Sequence, residues 1–134
     1  MKPRLLLVED NLANLRLLGD RLESDGFEVV PAVNLAEAHE QVERQTPELV
    51  LLDIRVAGED GLDLVRWIRA DSRFSRTPVI AVTAHALRQE QEHILAEGCN
   101  AVVSKPIDFK LLMTSIDLWL GIARRQIAQG AATS

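Results

Sequence analysis

The chain has 134 residues, 47% hydrophobic and 26% charged, with a formal net charge of −5 and one cysteine. That length predicts one domain whose core stands without disulfide or structural metal, and the lone Cys99 excludes an intramolecular disulfide and suits a reducing compartment, so a cytoplasmic protein is expected. The acidic balance argues against a nucleic-acid partner, and no apolar run is long enough for membrane insertion; the run after Lys2 and Arg4 stops at Glu9, too short for a signal peptide.

The first predicted strand covers about Arg4 to Val8. Leu12, Leu15, Leu18 and Leu22 then recur at helical spacing, with Asp10 or Asn11 as cap and Gly26 as stop. Phe27 to Val30 reads as a short second strand. Asn34 with Glu37 three residues on resembles a capping box, and Leu35, Ala38 and Val42 give the second helix its apolar stripe. Leu49-Val50-Leu51-Leu52-Asp53 follows: four apolar residues without a polar break, then a carboxylate. A strand buried on both faces reads this way, because no alternate position has to meet water.

Val56 to Asp60 reads as a loop, looser than one carrying proline, with Gly58 and Gly61 permitting unusual dihedral angles. Leu62, Val65 and Ile68 stripe a third helix that Asp71-Ser72-Arg73 ends. Pro78 introduces a fourth strand, Ala86 to Glu97 a fourth helix with Gly98 past its end, and Ala101 to Ser104 a fifth strand. Asp108 caps a last helix on which Leu112, Ile116, Trp119 and Leu120 align. Beyond Gly121, Arg124-Arg125-Gln126-Ile127 prolong that helix and Gly130 to Ser134 reads as frayed, giving residues 1–121 as the domain and 122–134 as helix extension and flexible tail. Five strands alternating with five helices predict an α/β fold with a parallel sheet, and the first and third strands are neighbours if it is doubly wound in the order 2-1-3-4-5.

In that order the acids Glu9, Asp10 and Asp53 meet at the carboxyl rim of the sheet, where open parallel sheets bind ligands. Carboxylates packed together repel, so such a site raises a pKa or binds a cation, and oxygen-only ligands favour a hard ion such as Mg²⁺. Lys105 adds positive charge and Thr83 a hydroxyl, a set suited to an oxygen-rich anion arriving at Asp53, as in phosphoryl transfer. In this reading Asp53 attacks phosphorus, and Lys105 and Thr83 bind the remaining oxygens.

Glu9-Asp10-Asn11, Asp53 after its apolar strand, Asp60-Gly61, Thr83-Ala84 and Ser104-Lys105-Pro106 together resemble a receiver domain of bacterial two-component response regulators, over about Lys2 to Leu120. The resemblance implies a flavodoxin-like (βα)5 fold of the stand-alone, single-domain type. It implies that Asp53 takes phosphate from a sensor histidine kinase or a histidine phosphotransfer protein. It further implies Mg²⁺ held by Asp10, Asp53 and the backbone carbonyl of Arg55, with Glu9 acting partly through water, and a cis Lys105–Pro106 bond. Phosphorylation would switch a binding surface on the fourth helix, fifth strand and fifth helix toward a downstream protein, with no turnover enzyme activity beyond self-phosphorylation and autodephosphorylation at Asp53. The first helix is the expected kinase-docking face.

The chain departs from the family at Val102, where many members carry the Tyr or Phe that swings inward, and at Val56-Ala57, often Met-Pro. Arg55 and His85 occupy positions that vary among members and tune phosphoryl lifetime. His85, His93 and Cys99 do not read as a zinc site, since eight helical residues separate the histidines by roughly 12 Å. No G-x-G-x-x-G or Walker-type loop appears. Arg55 stands where aspartate-nucleophile phosphatases have a second acid. Trp67 and Trp119 read as core, or as marks of a partner face. Two rival functions are a phosphorelay shuttle passing phosphate to a histidine phosphotransfer domain, and a scaffold that forms a homodimer through its extended last helix whether or not it is phosphorylated.

Overall fold

A computed structural model describes residues 2–85 and 87–133, with side chains placed through Arg125. In chain order the elements are β1 (Arg4–Val8), α1 (Leu12–Ser24), β2 (Glu28–Ala32), α2 (Leu35–Arg44), β3 (Leu49–Asp53), β4 (Arg55–Val56), β5 (Glu59–Asp60), α3 (Leu62–Ala70), β6 (Val79–Thr83), α4 (Arg88–Ala96), β7 (Ala101–Ser104) and α5 (Phe109–Thr133). Five strands pair in parallel in the order β2-β1-β3-β6-β7. This is the expected 2-1-3-4-5 order once the two-residue strands β4 and β5 are set apart as a ribbon of their own.

Every residue of β3 and β6 is buried, which is why both runs are apolar at successive positions. Alternation splits them between two cores. Leu6, Val8, Val50, Leu52, Val79 and Ala81 pack with the stripes of α2 and α3 and with Ile94 of α4. Leu5, Leu7, Leu49, Leu51 and Ile80 pack on the other face with Leu22 of α1 and Leu112, Ile116 and Leu120 of α5. β2 is an edge strand, so it accommodates Pro31, whose missing N–H needs no partner.

Helix starts follow local chemistry. The Asn11 side chain accepts from the Asn14 amide at 3.0 Å, deciding between the two candidate caps of α1. Asn34 accepts from the Glu37 amide at 2.8 Å, while Glu37 reaches back to the Val33 amide at 3.1 Å, one residue earlier than a capping box requires. Asp108 accepts from the amides of Lys110 and Leu111 at 3.0 and 3.3 Å.

Several boundaries differ from expectation. The second strand runs Glu28–Ala32 rather than Phe27 to Val30, because an edge tolerates proline and because Phe27 is buried in the α1/α5 core. The fourth helix starts at Arg88, after the extended Leu87 and without a side-chain cap; Ala86 lies outside the described residues. The segment from Val56 to Asp60 is not a loose loop but a two-stranded antiparallel hairpin, turning at Ala57 (φ 53°) and Gly58 (φ 75°). Positive φ at both turn residues lets two residues join strands with the native twist. α5 continues to Thr133, so Gly130 and its neighbours are helical where fraying was expected; Ser134 lies outside the described residues. Among the described residues no helix is long and apolar enough to cross a membrane.

Candidate functional site

β1 leads directly into Glu9, and the neighbouring β3 ends on Asp53. The Glu9 amide still donates to the Ala32 carbonyl at 3.0 Å, which ties this residue to the sheet edge. One carboxylate oxygen from each of Glu9, Asp10 and Asp53 lies within 4.8 Å of the others. Glu9 and Asp53 are each only 7% exposed, whereas Asp10 faces solvent. Lys105 follows β7, where its amide donates to the Thr83 carbonyl at 2.8 Å. From there its stem reaches past β6, and Nζ comes to 3.0 Å from Asp53 Oδ2 and 3.9 Å from Glu9 Oε2. Asp53 Oδ1 accepts from the Arg55 amide at 3.3 Å.

Thr83 ends β6, one residue beyond the Val82 that pairs in register with Asp53. It is buried, and its Oγ1 accepts from the His85 amide at 3.1 Å, leaving the hydroxyl proton to point elsewhere. The Lys105–Pro106 peptide is cis. Five residues from four chain segments thus share one rim, as their placement at strand ends implied.

Three carboxylates against one ammonium leave a formal charge of −2 when all are ionised. The Glu9 carboxyl is held above the ordinary carboxylate range, first by burial and then by its contact with Asp53; the Asn11 amide, at 3.1 Å from Oε1, and Lys105 pull the other way. An exposed acid beside two buried ones, all offering oxygen, fits a divalent hard cation that keeps part of its water shell. Among the described residues this is the only cluster of three metal-ligating side chains, so His85, His93 and Cys99 form no second one. Burial pushes the Cys99 thiol up to about 12, which leaves it unreactive at neutral pH.

Gly61 has a role that its sequence position did not reveal. Its φ of −59° and ψ of −22° are ordinary for any residue. What demands glycine is space: a Cβ there would lie 2.8 Å from the Asp53 carbonyl oxygen and 2.9 Å from that of Ile54. The first turn of α3 presses on the strand end that carries Asp53. Because Gly61 offers no side chain, Asp60 Oδ1 supplies the cap, accepting from the Leu62 amide at 3.0 Å. Trp67 is half-buried, 4.4 Å from the His39 ring and 5.2 Å from Phe74, on the side of the sheet that α2 and α3 cover.

The family model of the response regulator receiver domain matches residues 5–117. The chain belongs to that family. The polar-differentiation response regulator DivK of Brucella anthropi is 36% identical over 123 residues, which are 92% of this chain and 100% of that protein. The receiver domain of sensor histidine kinase PA1611 from Pseudomonas aeruginosa, solved with magnesium coordinated in its active-site cleft, superposes with a TM-score of 0.82 at 34% identity, covering 90% of this chain and 99% of that one. The BeF3-activated N-terminal receiver domain of Klebsiella pneumoniae RstA gives 0.79 at 26% identity, covering 87% and 97%. Like those receivers, the chain is a two-component signalling module with a kinase or phosphotransfer protein as its partner; no turnover enzyme activity is shown for it.

Proposed function

We propose that the chain is a single-domain response regulator that accepts a phosphoryl group on Asp53 and signals through the resulting change in its binding surface. The observation that carries this is the Asp53 carboxylate, 7% exposed, at the carboxyl rim of the sheet, with Lys105 Nζ at 3.0 Å and two further carboxylates beside it. An Asp53 oxygen attacks the phosphorus of a donor phosphohistidine. The P–O bond forms as the P–N bond breaks, and the imidazole leaves with the electron pair. Lys105 and the Thr83 hydroxyl donate to the transferred oxygens. Asp10, Asp53, the Arg55 carbonyl and, partly through water, Glu9 would hold Mg²⁺, which when bound offsets charge on the phosphoryl group.

The receiver unit is taken as residues 1–121, with 122–133 as a helical extension, in the cytoplasm. Leu12 and Leu17, 70% and 74% exposed on α1 just after the acid pair, support kinase docking there. Leu87, Leu95, Leu111 and Leu118, exposed on and beside α4 and on α5, support an output face on α4, β7 and α5. No observation favours a shuttle or a phosphorylation-independent scaffold.

The test is intact-mass measurement after incubation with Mg²⁺ and a small phosphodonor, beside Asp53→Asn. The expected result is one added phosphoryl group in the parent alone. Equal gain in both, or none in the parent, overturns the assignment.

A further inference from the structure

α4 is the least anchored helix on its face of the sheet. Only Ile94 is buried on it, against three residues on α2 and four on α3. Its start lacks a side-chain cap, and a cleft of about 480 Å³ lies beside it, lined by Ile54, Leu62, Thr83, Gln89 and Ile94 among others. Among the described residues one side-chain hydrogen bond joins α4 to the sheet: Gln91 Nε2 donates to Ser104 Oγ at 3.3 Å.

Where Ser104 sits gives this bond meaning. It pairs in register with Thr83 and immediately precedes Lys105. Along β6 and β7, Val79, Ala81 and Val102 face the core beneath α4; continuing that alternation puts Thr83 and Ser104 on the same side. So the residue that holds α4 neighbours both groups proposed to grip the phosphoryl oxygens. Val102, packed in that core, has no ring or hydroxyl with which to report their movement.

We propose that the Gln91–Ser104 hydrogen bond is the latch through which occupancy of Asp53 reaches α4; this rests on the receiver reading above. When Lys105 turns from the Asp53 and Glu9 carboxylates to the transferred oxygens and Thr83 closes on them, the strand end carrying Ser104 shifts. The bond is already long for an N–H···O contact, so a small shift breaks it. Its loss frees α4 over the adjoining cleft. Gln91 is thus a positioning residue, outside the site that takes the phosphoryl group.

The experiment is hydrogen exchange of the α4 amides, with and without Mg²⁺ and beryllofluoride, in the parent, Gln91→Leu and Gln91→Glu, alongside phosphoryl uptake by intact mass. In the parent, loading should speed α4 exchange about fivefold, the effect of removing one neutral hydrogen bond. Gln91→Leu should take up phosphate like the parent, exchange fast before loading and change less than about twofold on loading. Gln91→Glu, which accepts from the Ser104 hydroxyl, should restore the response. Equal uptake with a parental α4 response in Gln91→Leu overturns the latch alone, as does failure of Gln91→Glu to restore it. No uptake in the parent removes the receiver reading and the latch with it.

Discussion

Glu9 shows how one residue trades stability for binding. Its carboxyl is pushed above its unfolded value, so the fold favours the protonated form. That contribution is fully present below the unfolded carboxylate pKa and is lost as pH rises through the raised folded one. In chelator-treated protein, Glu9→Gln should therefore melt higher than the parent at pH 7, the gap closing toward pH 4. The same substitution should weaken Mg²⁺ binding about tenfold, as expected of an indirect ligand. A parent that melts above Glu9→Gln at neutral pH without metal would contradict this account. Arg69 is the opposite case, a half-buried cation whose side-chain hydrogen bonds reach no acid. It donates to the carbonyls of Gly98, Ser75 and Thr77 at 3.0, 3.1 and 2.6 Å, and to Asn100 Oδ1 at 2.7 Å, which also accepts from the Val79 amide. Burial pulls its guanidinium below the ordinary value. Arg69→Met strands these acceptors and should cost roughly 2–4 kcal/mol in urea unfolding; under 1 kcal/mol would show that water replaces the side chain.

Between single residues and the whole sheet, α3 and the β4–β5 hairpin set the wall beside Asp53. Gly61→Ala forces the start of α3 away from the strand end. It should cost roughly 1–3 kcal/mol and slow phosphoryl uptake more than stability loss alone explains. Parental uptake in a folded Gly61→Ala protein would show that this contact does not position Asp53. In the hairpin, Ala57 holds φ +53°, a conformation costly for a residue with a Cβ. Ala57→Asn, giving Asn-Gly at the turn, should stabilise by about 0.5–1 kcal/mol in thermal or urea unfolding. A loss would mean that the Ala57 methyl makes a compensating contact.

Across the whole molecule, the site joins strand ends that the chain visits far apart. A cation bridging β1 and β3 should therefore stabilise the fold globally. Mg²⁺ at a hundredfold its dissociation constant is worth about 2.7 kcal/mol. The melting midpoint of the parent should climb with the logarithm of Mg²⁺ concentration and climb far less in Asp10→Asn. An unchanged parent midpoint would remove the metal from the proposal. The same architecture explains why two cores are needed: with both faces covered, each central strand must satisfy a helix layer on either side, and polar chemistry is left to the residues at or just past its end.

The apolar strands and the groups at their ends, Glu9, Asp10, Asp53, Thr83 and Lys105, were legible in the amino-acid order, because strand burial writes itself as unbroken apolar runs and chemistry collects where those runs stop. The hairpin at Ala57-Gly58, the steric demand on Gly61, the acid-free cradle of Arg69 and the Gln91–Ser104 bond were not. Each depends on atoms brought within a few ångströms by packing: the Gly61 contact crosses a helix–strand junction, and the Gln91–Ser104 bond joins segments that share no periodicity. Local pattern decides which residues are buried and where strands end. Only the folded backbone decides which of those ends touch, because distance in space follows from how the helices seat on the sheet.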